Sequence, residues 1–142
     1  MKRRLLPLPL PLPLPLAAAL ACSPGAQGGA PAPAEGGSEA GLAVRMDASE
    51  LVLENRDTLP AYYAVFERGT AMLVNWRPCT TPEQGCRSVP AGGTGRLPLD
   101  SVSGWTAASD SVTLYWYHLV QAAEGGMRAD SVRSVQVGRA RE

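Results

Sequence analysis

Lysine is missing from this chain after Lys2, histidine and phenylalanine occur once each, and only three of its 142 residues are cysteine. These shortages exclude several kinds of site. The glycine run Ala91-Gly92-Gly93-Thr94-Gly95 is not followed by Lys and Ser/Thr, so it is no phosphate-binding loop. With His118 as the sole histidine, a zinc site lacks ligands, and no calcium-loop run of alternating Asp residues occurs. No serine sits in a G-x-S-x-G turn. Asp47, Asp57, Asp100, Asp110 and Asp130 each fall at a predicted turn, where aspartate hydrogen-bonds its own backbone. The sequence therefore nominates no catalytic residue, no metal ligand and no cofactor, and the chain is read as not an enzyme.

Long apolar runs are also absent. The most apolar stretch, Leu5 to Leu16, alternates leucine with proline and is shorter than the roughly 20 residues a bilayer requires. It follows Met1-Lys2-Arg3-Arg4 and precedes Ala17-Ala18-Ala19-Leu20-Ala21-Cys22. A basic start, an apolar middle and a small-residue boundary are the parts of an export signal. The boundary resembles the lipobox of bacterial lipoproteins. That resemblance implies cleavage between Ala21 and Cys22, with residues 1–21 removed and Cys22 carrying the lipid, palmitate included. Attachment would then be to a membrane of the bacterial cell envelope, on its extracytoplasmic side. Ser23 is not the aspartate that retains such proteins at the inner membrane, which points to the outer one. Several acyl chains, at about 0.8 kcal/mol per buried methylene, make such an anchor effectively permanent.

Without Lys2, Arg3 and Arg4 the chain keeps 10 basic residues against 13 acidic, a net charge of −3. Nucleic acid is thereby disfavoured as a partner, since it calls for a clustered basic surface. All the remaining cations are arginine, which the base composition of a gene is enough to explain. From 23 to 41 no large apolar side chain occurs. Such a segment buries too little to offset its ordering entropy, so residues 22–41 are read as a flexible Gly/Pro/Ala stalk spanning about 25 Å on average.

Past Gly41 the pattern turns to period two, the mark of half-buried strands. Leu42, Val44 and Met46 alternate with polar or small residues, and Leu51 and Leu53 repeat the theme. Strands are expected next at 61–68 and 72–76, paired as a hairpin about Gly69-Thr70. A short strand at 96–100 contains Pro98, which cannot donate to a ladder and marks an edge. The strongest strand is 111–120, apolar or aromatic on both faces and so central. Residues 121–129 read as a loop, 130–137 as the last strand and 139–142 as a polar tail. About seven antiparallel strands in residues 42–138, with no convincing helix, predict an all-β fold of two sheets packed face to face. The pattern resembles the immunoglobulin-like or fibronectin type III β-sandwich, with Trp116 or Trp76 as the core tryptophan.

If Cys22 is lipidated, Cys79 and Cys86 remain as a pair in an exported protein, where disulfides persist. They are expected to close a short structural loop, with a redox pair or half of a metal site as the alternatives. His118 is either a packed structural histidine or a pH-sensing contact. Tyr115 and Tyr117 share one face of the strongest strand, and Tyr63 or Tyr62 is a candidate neighbour. The set Tyr115, Tyr117 and Tyr63 is either a contact patch for an envelope protein or glycan or simply core. The functional expectation is a lipid-tethered binding or scaffolding module of the cell envelope. An inhibitor or accessory lipoprotein acting through the loop 79–86 is the alternative, and a hydrolase or thiol-redox enzyme a remote one.

Overall fold

The computed structural model of the protein describes residues 38–39 and 41–139. The expected leader, the cleavage point, Cys22 and nearly all of the stalk lie outside the described residues, as do 140–142. In chain order the strands are β1 (Ser38–Glu39), β2 (Leu42–Met46), β3 (Glu50–Asn55), β4 (Ala61–Glu67), β5 (Arg87–Val89), β6 (Thr94–Pro98), β7 (Ser111–Tyr117), β8 (Leu119–Gln121), β9 (Met127–Ala129) and β10 (Arg133–Gly138). One antiparallel sheet has the order β1-β2-β3-β6, the other β10-β7-β4-β5, and β8 pairs with β9 alone. The described residues are thus mostly β, in antiparallel sheets that do not close into a barrel.

Alternation decides which face each strand buries. Leu42, Val44 and Met46 turn inward from the first sheet, with Leu51, Leu53 and Leu97 beside them. Ala61, Tyr63, Val65, Val112, Leu114, Trp116, Val135 and Val137 meet them from the second. Both sets belong to one apolar cluster, and each buried Val or Leu contributes roughly 1.5–3 kcal/mol relative to exposure. Trp116, fully buried, is the core tryptophan. As its Pro98 predicts, β6 is an outermost strand. The pattern predicts about seven strands; the described residues form two four-stranded sheets and the β8–β9 pair.

Two expected elements differ. Residues 72–76 do not pair back onto β4; the neighbours of β4 are β5 and β7. The Glu67 carboxylate accepts from the Thr70 amide at 2.8 Å, which starts a single helical turn, α1 (Arg68–Ala71), and turns the chain away from the ladder. Nor does the strongest strand run unbroken through 120. At His118 the amide donates to Asp130 Oδ1 at 2.9 Å instead of to a neighbouring strand. There β7 stops and β8 begins a separate hairpin, whose turn includes Gly125 and Gly126, both at positive φ. Residues 121–129, read as loop, therefore contain β9.

Candidate functional site

Register settles which tyrosines share a face. Across β4 and β7, Tyr62 stands opposite Tyr117, Tyr63 opposite Trp116, Ala64 opposite Tyr115 and Phe66 opposite Thr113. Tyr63 therefore points inward with Trp116, only 8% exposed, and burial pushes its phenol pKa up. It is not part of the expected patch with Tyr115 and Tyr117, because a shift of one residue along a strand changes the face. Tyr62 takes that place on the outer face.

The outer aromatic row is covered. After α1 the chain runs back across this face, and the indole of Trp76 lies on Tyr115 with centroids 5.5 Å apart. The same indole meets Tyr117 at 5.9 Å in a tilted arrangement. Tyr62 stacks on Tyr117 from the neighbouring strand, also at 5.9 Å. These separations suit offset and tilted aromatic pairs, worth about 0.5–1.5 kcal/mol each beyond burial. The Tyr117 side chain is 0% exposed, and its hydroxyl accepts a hydrogen bond from the Cys79 amide at 2.8 Å. Burial raises the phenol's pKa, and the Cys79 amide partly offsets the rise.

Cys79 and Cys86 form a disulfide with Cα atoms 6.4 Å apart, as expected from their pairing in the sequence. Within the ring, Thr81 leads into a 3-10 turn, Pro82–Gln84, and Gly85 closes it at φ 72°, a conformation glycine adopts without a Cβ clash. The Gln84 side chain accepts from the Thr80 amide at 2.7 Å, so the ring has its own internal bonding. All of residues 80–85 are exposed. Aromatic stacking thus fixes one end of a displayed loop and a disulfide fixes the other.

A second cluster lies around His118. The residue is 4% exposed, with Nδ1 2.9 Å from the Pro60 carbonyl oxygen and Nε2 3.1 Å from Asp57 Oδ2. The edge of the ring faces Trp116, and Arg133 lies over the other ring system at 4.5 Å. Asn55, also buried, donates its side-chain amide to the carbonyls of Leu59, Val89 and Pro90 and accepts from the Asp57 amide. These bonds tie the 55–60 turn to β5 and to the end of β7. Both ring nitrogens of His118 have partners within the fold, and the cluster fastens the 55–60 turn to the end of β7.

Asp57 as the partner of His118 is 61 residues away in sequence and nothing in the chain announces it. Local pattern places Trp76 on a strand; the Arg77-Pro78 step is the one sign that no strand continues there, since the residue before proline and the missing amide both disturb a ladder. Among the described residues no group of three or more His, Cys, Asp or Glu is placed to hold a metal ion, and no helix is long and apolar enough to cross a membrane. No family model, no curated protein and no solved structure matches the chain.

Proposed function

We propose that the protein is a lipid-tethered module of the bacterial cell envelope that binds or scaffolds a partner through the disulfide loop of residues 79–86. The observation that carries this reading is where the aromatic rings are used. Tyr62, Tyr115, Tyr117 and Trp76 hold an exposed, disulfide-closed loop against the outside of a sheet. Aromatic contact and a cross-link of this kind lower the entropy lost when a displayed loop meets a partner. Tyr115 and Tyr117 then support the contact surface instead of forming it, which favours the loop 79–86 over an open tyrosine patch. The tether is the lipid on Cys22, and the basic, apolar and small-residue order of 1–22 supports it.

We infer further that the sandwich is fibronectin type III-like or immunoglobulin-like. Omitting β1 and the β8–β9 hairpin leaves seven strands. In chain order, the first, second and fifth face the seventh, sixth, third and fourth. An antibody constant domain divides its strands in the same way except that its fourth lies with the first, second and fifth. Such a sandwich serves many functions, so the loop, not the fold, carries the functional argument.

A photo-crosslinking residue at Glu83, which is exposed within the ring, tests the proposal in intact cells. A discrete adduct from position 83, absent from the exposed turn position Glu124, supports recognition by the loop. Adducts of equal yield at both positions, or none at either, overturn it. Intact-mass measurement of the mature chain tests the tether separately, because a Cys22 terminus without acyl mass removes the lipoprotein reading.

A further inference from the structure

Between α1 and Trp76 the chain exposes three successive apolar side chains. Met72 is 85% exposed and Leu73 86%, and Val74 is also exposed. Scattered apolar surface is ordinary, but a contiguous apolar tip marks a contact. Three features of this tip identify what it contacts.

The first is charge. No acidic residue occurs between Glu67 and Glu83, while Arg68 and Arg77 flank the apolar triplet and are both exposed. The Glu67 carboxylate is turned onto the Thr70 amide. In a chain whose net charge beyond the leader is negative, this is a local cationic collar. The second is the backbone. The amides of Met72, Leu73 and Val74 donate to the carbonyls of Gly69, Thr70 and Thr70, at 3.3, 2.9 and 3.2 Å. Their N–H donors are therefore satisfied within the turn, which lowers the cost of bringing this backbone to the edge of hydrocarbon. The third is the base of the tip, where Trp76 rests on Tyr115, a ring type at home between apolar and wet surroundings.

We propose that residues 72–74 are a membrane-inserting tip, which buries Met72, Leu73 and Val74 at the acyl boundary of an anionic bilayer while Arg68 and Arg77 meet the headgroups. The occupant is lipid, since an apolar point with bonded amide donors, a cationic collar and an indole at its base matches that interface. The inference goes beyond the lipid tether and does not require it. If both hold, the protein is attached to the membrane at two points, the lipid on Cys22 and the 72–74 tip.

The test uses the full chain carrying Cys22→Ser and Leu73→Cys, with an environment-sensitive fluorophore on the single free thiol and the Cys79–Cys86 bond intact. A second preparation carries the label at Glu124→Cys. Each is mixed with vesicles of phosphatidylcholine containing about one-third phosphatidylglycerol. We expect blue-shifted emission at position 73, quenched by bromine-labelled acyl chains, and neither effect at 124. The paired changes Arg68→Gln and Arg77→Gln should weaken the response about 10- to 30-fold, the value of two cations near an anionic surface. Flotation with vesicles while position 73 stays unquenched would mean the chain is held by its N-terminal residues, and overturns the proposal. So does absence of any vesicle binding. A blue shift without vesicles that grows with protein concentration would assign the tip to a second copy of the chain instead of to lipid.

Discussion

The Trp76 indole lies on the Tyr115 ring with the two planes 18° from parallel, and this contact holds a long excursion of the chain to the outside of a β-sheet. Trp76→Ala should lower stability by about 2–4 kcal/mol, near the lower part of the range for buried aromatic truncation because the indole is only half-buried. Urea unfolding measures the loss. In a double-mutant cycle with Tyr115→Ala, a coupling of about 0.5–1.5 kcal/mol is expected, and strict additivity would show that the stack contributes nothing of its own.

Tyr117→Phe keeps the ring and removes the acceptor of the Cys79 amide. A loss of about 1 kcal/mol is expected, with faster hydrogen exchange at Cys79 and unchanged exchange in β7. In a spectrophotometric titration, the Tyr117 phenol should ionise above the usual tyrosine range because burial disfavours its anion, and the Cys79→Ala, Cys86→Ala pair should not abolish that shift.

Replacing Cys79 and Cys86 together by alanine opens a ring with a sequence separation of 7. Chain-entropy arithmetic for so small a loop gives a loss of about 2–3 kcal/mol. The domain core lies elsewhere, so the variant should remain folded, with near-native far-ultraviolet circular dichroism and a lower urea midpoint. Complete unfolding would show that the ring is part of the core.

Asp130 contributes to the acid limb of stability. Burial raises its carboxyl pKa, but hydrogen bonds from the His118 and Ser131 amides and the Arg133 guanidinium outweigh that effect and leave it below the ordinary value. A folded pKa below the unfolded one means that the contribution is complete above about pH 4, the unfolded value. It is lost as pH falls through the lower folded value. Asp130→Asn should therefore destabilise the protein at neutral pH, and the gap from the parent should close on acidification. A gap that is constant with pH would remove ionisation from the account.

Gly41 approaches the His118 cluster closely. At its φ of +99°, an added Cβ would lie 2.5 Å from Asp57 Oδ2 and 3.4 Å from the Trp116 ring. Gly41→Ala combines an unfavourable backbone with displacement of the His118 partner, and a cost of about 1–3 kcal/mol is expected. The ring proton shifts of His118 should move in the same variant, and a lowered melting temperature with unmoved shifts would assign the cost to the backbone alone.

The parts of the fold readable in the sequence were those set by local alternation. Leu42, Val44 and Met46 need only a period of two to declare an inward face, and Pro98 needs only its missing amide to declare an edge. Reading failed where a side chain replaced a ladder bond. Glu67 capping Thr70 and Asp130 taking the His118 amide both end strands, and the second joins residues 12 apart. The choice between Tyr62 and Tyr63 likewise rested on register between β4 and β7, which a run of aromatic residues leaves ambiguous. The pairing of Cys79 and Cys86 was legible because they lie at a sequence separation of 7 with the turn formers Pro82 and Gly85 between them. The cover over Tyr117 was not, since Trp76 has a strand-like neighbourhood of Leu73, Val74 and Asn75.

The ring closed by Cys79 and Cys86 has one more implication, for how this molecule can change over generations. Its interior residues, 80–85, are exposed and surrender almost nothing to the core, while the anchors Trp76, Tyr117 and the disulfide lie outside that interval. Substitutions within the interval are consequently cheap in stability, of the order of ±0.5 kcal/mol for ordinary surface changes. The Gly85 position, held at positive φ, stands apart from them. Selection can rewrite this exposed interval without first repairing the fold that carries it.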